Sequence, residues 1–184
     1  MSSLLNGEGL ALVRGGRLLF ESLDVELGAG DALHISGPNG SGKSSLIRLV
    51  AGLLRPSAGR IERAQAALAD DLLALDRELP LGRALAFWRG PKLAQAITLF
   101  ALDELVHVPV RFLSTGQSKR AQLARVMASG APLWLLDEPM NGLDRKGLGE
   151  LDAAIQAHRY SGGAVLAASH APLAGHWQTM ELGT

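Results

Sequence analysis

The chain has 184 residues, of which 47% are hydrophobic, so it can form one domain with a hydrophobic core but is short for two. Its 18 basic and 18 acidic side chains cancel, so no broad positive field favours nucleic acid or anionic lipid. The lack of cysteine excludes disulfides, thiol catalysis and zinc–thiolate sites. Met1 to Leu12 lacks the basic start and the long apolar stretch of a secretory signal, so the sequence predicts that the protein stays in the cytosol.

Short strands are predicted for the first part of the chain. Leu10 to Ser36 alternates apolar and polar side chains, and Gly15-Gly16 indicates a two-residue hairpin turn. Gly28 to Asp31 predicts another turn, and Ala32 to Ile35 predicts a compact apolar strand that leads into glycine-rich sequence. A helix is predicted from Ser44 to Leu54.

Helices are predicted for the middle of the chain. Ile61 to His107 is rich in alanine, leucine and charged residues, with apolar side chains such as Leu81, Leu85 and Trp88 at helical spacing. A further helix is predicted to run from Gly116 to about Ala128. The whole segment is therefore interpreted as helical.

Buried strands and one more helix are predicted beyond that segment. Leu133 to Leu136 and Ala164 to Ala168 are fully apolar, and Leu148 to Ile155 carries a helical stripe between them. The charge-free stretch from Ser161 to Met180 is broken by glycine, proline and histidine, so it predicts a strand plus loop and not a membrane span. Apolar strands that alternate with helices predict an α/β fold with a mostly parallel sheet, preceded by antiparallel strands.

A phosphate-binding pattern lies between the predicted strand at Ala32 to Ile35 and the helix that follows. Residues 37–44 read GPNGSGKS and fit G-x-x-x-x-G-K-[ST]. Glycines let backbone N–H groups turn toward phosphates, Lys43 brings a full positive charge to the β and γ oxygens, and Ser44 can ligate Mg²⁺. The predicted phosphate-binding residues are Gly37, Pro38, Asn39, Gly40, Ser41, Gly42, Lys43, Ser44 and Ser45.

Two carboxylates end the predicted strand at Leu133 to Leu136. In an open parallel sheet, Asp137 and Glu138 would lie in the crevice at the carboxyl ends of the strands. Asp137, together with Ser44, is predicted to hold magnesium, and Glu138 is positioned to orient or deprotonate an attacking water. An apolar run followed by Asp-Glu is an ordinary strand end by itself, but beside a phosphate loop it predicts phosphoryl transfer.

Two further segments carry candidate functional residues. Leu113 to Gln117 reads LSTGQ before a predicted helix, where Ser114 can cap the helix and Gly116 permits close approach to its backbone. His170 follows the strand at Ala164 to Ala168, which places it at the same rim as Asp137. The remaining histidines lack such a context and are interpreted as structural or solvated: His34, His107, His158 and His176.

The phosphate loop, LSTGQ, LLDEP, NGLD and a late histidine, in this order, resemble the nucleotide-binding domain of an ABC transporter. The resemblance implies one such domain over residues 1–184, with a helical subdomain at approximately 62–128. It also implies a head-to-tail homodimer that holds two ATP molecules and Mg²⁺ at its interface. The residues it assigns are Glu138 and His170 as catalytic, Ser114, Thr115, Gly116 and Gln117 as a signature acting in trans, and Asp144 in the D-loop.

Within this class, the chain is similar to the ATP-binding subunits of cytochrome c maturation, also called haem exporters. The similarity rests on residues 17–61, on ELPLGRALAFW and on HRYSGGAVLAASHAPL. It implies a peripheral ATPase on the cytoplasmic face of the inner membrane, bound to integral membrane subunits, with no nucleic acid partner and no direct haem ligation. The alternatives are the ATPase of another small exporter and a nucleotide-dependent regulatory switch with low turnover.

The chain departs from the family pattern at two places. Where the Q-loop glutamine is expected, the sequence reads Asp70-Asp71-Leu72-Leu73, with Leu72 at the glutamine position. Either one of these carboxylates replaces the glutamine near magnesium, or both only cap or solvate the next helix. Where an aromatic residue that stacks on adenine is expected, near the first hairpin, the sequence has Leu12, Val13, Arg14 and Arg17 instead, and Phe20 is expected to pack in the core. Adenine is then expected to be held by an arginine face or only loosely.

Overall fold

The protein is described by a computed structural model that covers residues 3–70, 72, 74–88 and 90–183. Within these ranges the strands are β1 (Ser3–Arg14), β2 (Arg17–Gly28), β3 (Ala32–Ser36), β4 (Ala58–Arg63), β5 (Ala66–Ala69), β6 (Leu133–Asp137), β7 (Ala164–Ala168) and β8 (Gln178–Glu181). The helices are α1 (Lys43–Val50), α2 (Leu81–Ala86), α3 (Leu93–Leu99), α4 (Thr115–Ala128) and α5 (Arg145–Tyr160), with 3-10 turns at Asp103–Leu105 and Val110–Phe112.

A five-stranded parallel sheet with the order β5-β6-β7-β3-β8 positions the candidate site. Its central strands β6 and β7 are buried along their whole length, which is why their sequences are apolar apart from Asp137 at the end of β6. The carboxyl ends of parallel strands share one edge of a sheet. The segments that follow β3, β6 and β7 therefore meet at that edge.

A second sheet, antiparallel and three-stranded with the order β2-β1-β4, forms the start of the chain. Gly15 and Gly16 connect β1 to β2 with φ angles of 57° and 76°, which suits a two-residue hairpin turn. Arg14 and Arg17 flank this turn as a cross-strand pair. The predicted hairpin and the antiparallel start of the chain are thus confirmed.

Alternation along β6 divides the core into two clusters. Trp134 and Leu136 join the cluster formed with α2 to α5, whereas Leu133 and Leu135 join the cluster formed with α1 and the antiparallel sheet. The parallel sheet is therefore covered on both faces. This arrangement confirms the predicted α/β class with a mostly parallel sheet.

The prediction that Ile61 to His107 is helical throughout is wrong at its start. β4 pairs with β1, and β5 pairs with β6, so the predicted helical subdomain begins at about 62 with strand residues. The sequence of β5 is AALA, which favours a helix in isolation, but hydrogen bonding to the edge of the buried sheet outweighs that intrinsic preference. Helices in this region begin only at Leu81.

Two other elements differ from expectation. β8 pairs with β3 where only a loop was predicted, because its four residues are mostly exposed and carry little apolar signal. α1 ends at Val50 instead of Leu54, and Gly52 follows with a φ of 81°. Among the residues that the structure describes, no helix is long and apolar enough to cross a membrane.

Two of the four histidines without functional context are exposed and two are buried, as expected for solvated and structural roles. His158 stacks on Trp134 with ring centroids 4.0 Å apart and planes 10° apart, and its Nε2 atom lies 3.1 Å from the Pro132 carbonyl oxygen. Burial lowers the pKa of His158 from 6.5 to about 4, against the opposing effect of the hydrogen bond to Pro132. A Cβ atom at Gly163 would overlap the His158 ring, so only glycine leaves room for this packing.

We expect the free energy of unfolding to fall as the pH drops from 6.5 toward 4, because the unfolded chain takes up a proton at His158 that the folded chain excludes. The loss attributable to this residue is about 2–3 kcal/mol. Urea unfolding across this pH range measures it. His158→Phe retains an aromatic ring but cannot titrate, so its stability should depend less steeply on pH; an unchanged slope would contradict the assignment.

Candidate nucleotide-binding site

Three strand ends meet at one open cavity of about 410 Å³ on the carboxyl edge of the parallel sheet. β3 leads into the phosphate loop, β6 ends at Asp137, and β7 is followed by Ser169 and His170. The cavity is lined by Arg14, Leu19, Asn39, Gly40, Gly42, Lys43, Ser44, Ser45, Glu138 and His170. The structure therefore brings the phosphate loop together with both residues that the sequence suggested as catalytic.

The phosphate loop has the backbone shape that its glycines permit. Gly37 and Gly42 have φ angles of 138° and 105°, and a Cβ atom at Gly37 would overlap the carbonyl oxygen of Leu182. Lys43 opens α1 and donates from Nζ to the carbonyl oxygens of Gly37 at 2.7 Å and Pro38 at 3.0 Å. An ammonium group has three donors, so this buried cation can direct one more hydrogen bond at a phosphate oxygen.

Ser44 and Asp137 form an oxygen pair that suits magnesium. The Ser44 hydroxyl donates to Asp137 Oδ1 at 3.0 Å, which joins the start of α1 to the end of β6. Mg²⁺ prefers oxygen ligands and usually takes one or two from a protein, with phosphates and water as the others. In the described part of the chain, no three or more His, Asp or Glu side chains cluster as a metal site.

Glu138 and His170 contact each other beside the loop. His170 Nε2 lies 3.4 Å from Glu138 Oε1, and the two side chains are 52% and 18% exposed. Glu138 has a φ of 46°, a left-handed conformation that is uncommon for a residue with a side chain, while its N–H donates to the Ala168 carbonyl at 2.8 Å. Such backbone strain concentrates at functional sites, and here it turns the Glu138 side chain into the cavity.

The signature segment caps α4 and lies away from this cavity. Ser114 Oγ accepts from the Gln117 N–H at 3.3 Å, and the Gln117 side chain accepts from the Ser114 N–H at 2.9 Å, so the two form a capping box. A Cβ atom at Gly116 would lie 2.8 Å from the Gly142 carbonyl oxygen, so glycine allows the helix start to approach the loop after β6. Ser114, Thr115, Gly116 and Gln117 are not among the residues that line the phosphate-loop cavity of the same chain.

Asp144 has a local structural contact in this chain. Its carboxylate accepts a hydrogen bond from the Gly147 N–H at 2.7 Å and so caps the start of α5. The loop that precedes it contains Gly142, where an added Cβ atom would lie 3.3 Å from the Thr115 side chain of the signature helix. The D-loop and the signature are thus close to each other within one chain.

Asp70 does not lie at the phosphate-loop cavity. It is buried at the end of β5, with Oδ2 3.7 Å from Arg48 Nη2 and Oδ1 accepting from the Leu72 N–H at 3.1 Å. Gln122 of α4 donates to the carbonyl oxygens of Asp70 at 2.5 Å and Leu72 at 2.9 Å. Leu72, at the expected glutamine position, is 70% exposed, and Asp71 and Leu73 lie outside the described residues.

The negative charge of Asp70 interacts with two arginines, Arg48 and Arg125. Desolvation lowers the pKa of Arg125, and the nearby carboxylate of Asp70 partly reverses that shift. Arg48 belongs to α1, which follows the phosphate loop in the sequence. Arg125 belongs to α4, whose first residues carry the signature. The expectation of a solvated carboxylate is therefore wrong for Asp70, which is buried, pairs with Arg48 of α1 and accepts from the Leu72 N–H. The metal-ligand alternative stays a prediction.

One end of the cavity is formed by the first hairpin. Arg14 Nη1 donates to Ser45 Oγ at 3.4 Å and lines the cavity, whereas Leu12 and Phe20 are buried in the core. Arg14 is therefore the arginine that lines the cavity, and its contact with adenine stays a prediction. Leu19 also lines the cavity and was not predicted, because the alternation of β2 does not reveal which side chain the hairpin turns toward the phosphate loop.

The phosphate loop, the paired carboxylates after β6 and the capped LSTGQ helix define an ABC-type P-loop ATPase. Residues 20–141 match the family model described as ABC transporter. Two solved structures share the fold: an ATP-binding subunit of an ABC transporter, with a TM-score of 0.82 and 22% identity over 91% of this chain and 79% of that one, and a nucleotide-free ATP-binding cassette, with a TM-score of 0.75 and 19% identity over 92% and 82%.

Relatives with higher sequence identity show which family of ABC ATPases the chain belongs to. The cytochrome c biogenesis ATP-binding export protein CcmA of Sphingopyxis alaskensis is 56% identical over 181 residues, which are 95% of this chain and 93% of that protein. The protein of the same name from Novosphingobium aromaticivorans is 58% identical over 167 residues, or 90% and 87% of the two chains. The chain belongs to this CcmA family of ABC transporter ATP-binding proteins.

We expect Asp70→Asn to lower the free energy of unfolding by about 1–3 kcal/mol, because Arg48 loses its ion-pair partner and the buried Arg125 loses a nearby opposite charge. The Mg²⁺ concentration that gives half-maximal ATP hydrolysis should stay unchanged. Asp76→Asn is a matched control, since Asp76 is exposed and its side chain accepts from the N–H two residues later, as Asp70 does. A shifted Mg²⁺ requirement in Asp70→Asn would place this carboxylate at the metal.

Proposed function

We propose that this chain binds ATP and Mg²⁺ at the carboxyl edge of the parallel sheet and hydrolyses ATP to drive a membrane complex of haem export and cytochrome c maturation. The observation that carries the site is the convergence of the Ser44–Asp137 hydrogen bond and the Glu138–His170 contact beside Lys43. These groups supply the cation, the metal ligands and the proton acceptor that phosphoryl transfer needs.

Binding would use the loop backbone, Lys43 and the oxygen pair. The N–H groups at the start of α1 and the Lys43 ammonium would hold the β- and γ-phosphates. Ser44 and Asp137 would hold Mg²⁺, which neutralises charge that develops on the phosphate oxygens. Arg14 and Leu19 stand at the hairpin end of the same cavity, so they would contact the base or ribose.

Hydrolysis would proceed by in-line attack of water on the γ-phosphorus. Glu138 accepts a hydrogen bond from this water and takes its proton as the new P–O bond forms and the bond to the β-phosphate oxygen breaks, which releases ADP and phosphate. His170 would fix the Glu138 carboxylate through Nε2, which lies within 3.4 Å of it. Glu138, His170 and Lys43 all line the same cavity, which is where the γ-phosphate would lie.

A second copy of the chain would complete the site. The start of α4 carries backbone donors and the positive end of a 14-residue helix, yet it does not line the cavity of its own chain. The Ser114 N–H already donates to the Gln117 side chain, so a γ-phosphate held by another copy would accept from the Gly116 N–H and from the Ser114 hydroxyl. This arrangement supports a head-to-tail homodimer with two ATP molecules between the subunits.

Membrane subunits would supply the transport path. The relatives are named as export proteins of cytochrome c biogenesis, and none of the described helices can cross a bilayer. The chain would therefore lie on the cytoplasmic face of the inner membrane, bound to integral membrane partners. It would act by ATP-driven closure of its dimer, without ligating haem itself.

We expect Glu138→Gln to bind ATP as the wild type does and to lose at least about 100-fold in turnover, because an amide cannot take the proton from water. ATP should then trap a dimer that size exclusion with light scattering detects. Glu62→Gln changes an exposed glutamate of β4 and should behave as the wild type. Wild-type turnover in Glu138→Gln would show that Glu138 is not the base.

The same variant tests the membrane assignment. Tagged Glu138→Gln, purified with ATP from detergent-solubilised membranes, should carry integral membrane subunits at a fixed ratio to this chain. In the corresponding complex that contains the wild-type chain, added haem should change the rate of phosphate release. If the chain copurifies only with itself, the ATPase assignment stands and the proposed membrane complex is wrong.

A further inference from the structure

A buried histidine outside the cavity binds the segment that carries His170. His34 lies in β3, opposite Ala167 of β7, and is 8% exposed. Its Nε2 atom is 2.9 Å from Ser169 Oγ and 3.1 Å from the Ser169 carbonyl oxygen. Ser169 is fully buried and directly precedes His170.

The hydrogen-bond partners determine which nitrogen of His34 carries a proton. The Ser169 hydroxyl donates to the Ala171 carbonyl oxygen at 2.5 Å, so its one hydrogen is used and its oxygen must accept from His34. The Ser169 carbonyl oxygen can only accept. His34 Nε2 therefore carries a hydrogen and donates to both oxygens of Ser169.

Ser169 is held from several sides, whereas His170 is not. The Ser169 N–H points to the Ile35 carbonyl oxygen at 3.4 Å, so β3 contacts this residue through its backbone and through the His34 ring. The His170 side chain is 52% exposed and contacts Glu138. Its position relative to Glu138 therefore depends on how the backbone at Ser169 is fixed.

We propose that His34 is a positioning residue for ATP hydrolysis: by donating to both oxygens of Ser169, it holds His170 against Glu138. This inference rests on the proposed function, in which His170 fixes Glu138. His34 does not line the cavity. Its loss should therefore affect the arrangement of the reacting groups and leave the binding of ATP unchanged.

Substitution of His34 tests the proposal by separating kcat from KM. His34→Leu removes the donor while keeping a buried side chain, and it should lower kcat by about 10- to 100-fold with KM for ATP within about twofold. His34→Gln places an amide donor near the position of Nε2 and should restore most of kcat. His158→Leu is the matched control, because it removes another buried histidine that bonds a backbone carbonyl, and it should leave kcat unchanged.

The effect should also require His170. In a His170→Ala background, His34→Leu should cause no further loss of kcat, since the residue that it positions is gone. If the full loss persists in that background, His34 acts elsewhere and the inference is wrong, although the proposed function stands. If His170→Ala alone hydrolyses ATP at the wild-type rate, the proposed role of His170 fails and the inference fails with it.

A second variant covers the case in which His34→Leu does not fold. Ser169→Ala removes the hydroxyl acceptor but keeps the carbonyl acceptor, so it should lower kcat less than His34→Leu, again with KM unchanged. Thermal unfolding of each variant verifies that the fold is retained. An increase in KM at constant kcat, or no change in either, would overturn the proposal.

Discussion

The site depends on the parallel hydrogen bonding of three adjacent buried strands. Leu166 of β7 is in register with Leu33 of β3 on one side and with Leu135 of β6 on the other. This pairing sets the height at which each strand ends, and so it brings the phosphate loop, the Asp137–Glu138 pair and the Ser169–His170 pair to one edge. A slip of one residue in any strand would turn its core side chains to the opposite face, so packing holds the register.

The phosphate loop and the signature helix are connected to the rest of the domain by different contacts. The phosphate loop and Asp137 are joined directly, through Lys43 and the Ser44 hydroxyl, to the sheet and to α1. The signature helix is joined to α1 less directly, through Asp70, whose carboxylate pairs with Arg48 and whose carbonyl oxygen accepts from Gln122. Asp70 thus contacts α1 through its carboxylate and α4 through its carbonyl oxygen.

The chemistry of the site could be predicted because each motif lies where a buried element ends. The strands β6 and β7 are apolar up to their last residues, β3 is apolar apart from His34 and Ser36, and LSTGQ carries its own capping box, so local sequence determines their structure. β5 and β8 could not be predicted, since an AALA segment and a mostly exposed strand acquire their conformation from the sheet edges with which they pair. The setting of Asp70 also depends on residues distant in sequence, Arg48, Gln122 and Arg125, which no local pattern brings together.

Equilibrium binding of ATP with Mg²⁺ to the Lys43→Ala variant tests most directly whether this edge is a nucleotide site. Without the ammonium group, only backbone N–H groups and hydroxyls bind the β- and γ-phosphates, so the affinity for ATP should fall by about 10- to 100-fold relative to wild type. Lys92→Ala, which removes the lysine that precedes α3, should bind as the wild type does. Equal affinity of Lys43→Ala and wild type, measured by calorimetry on folded protein, would contradict the account.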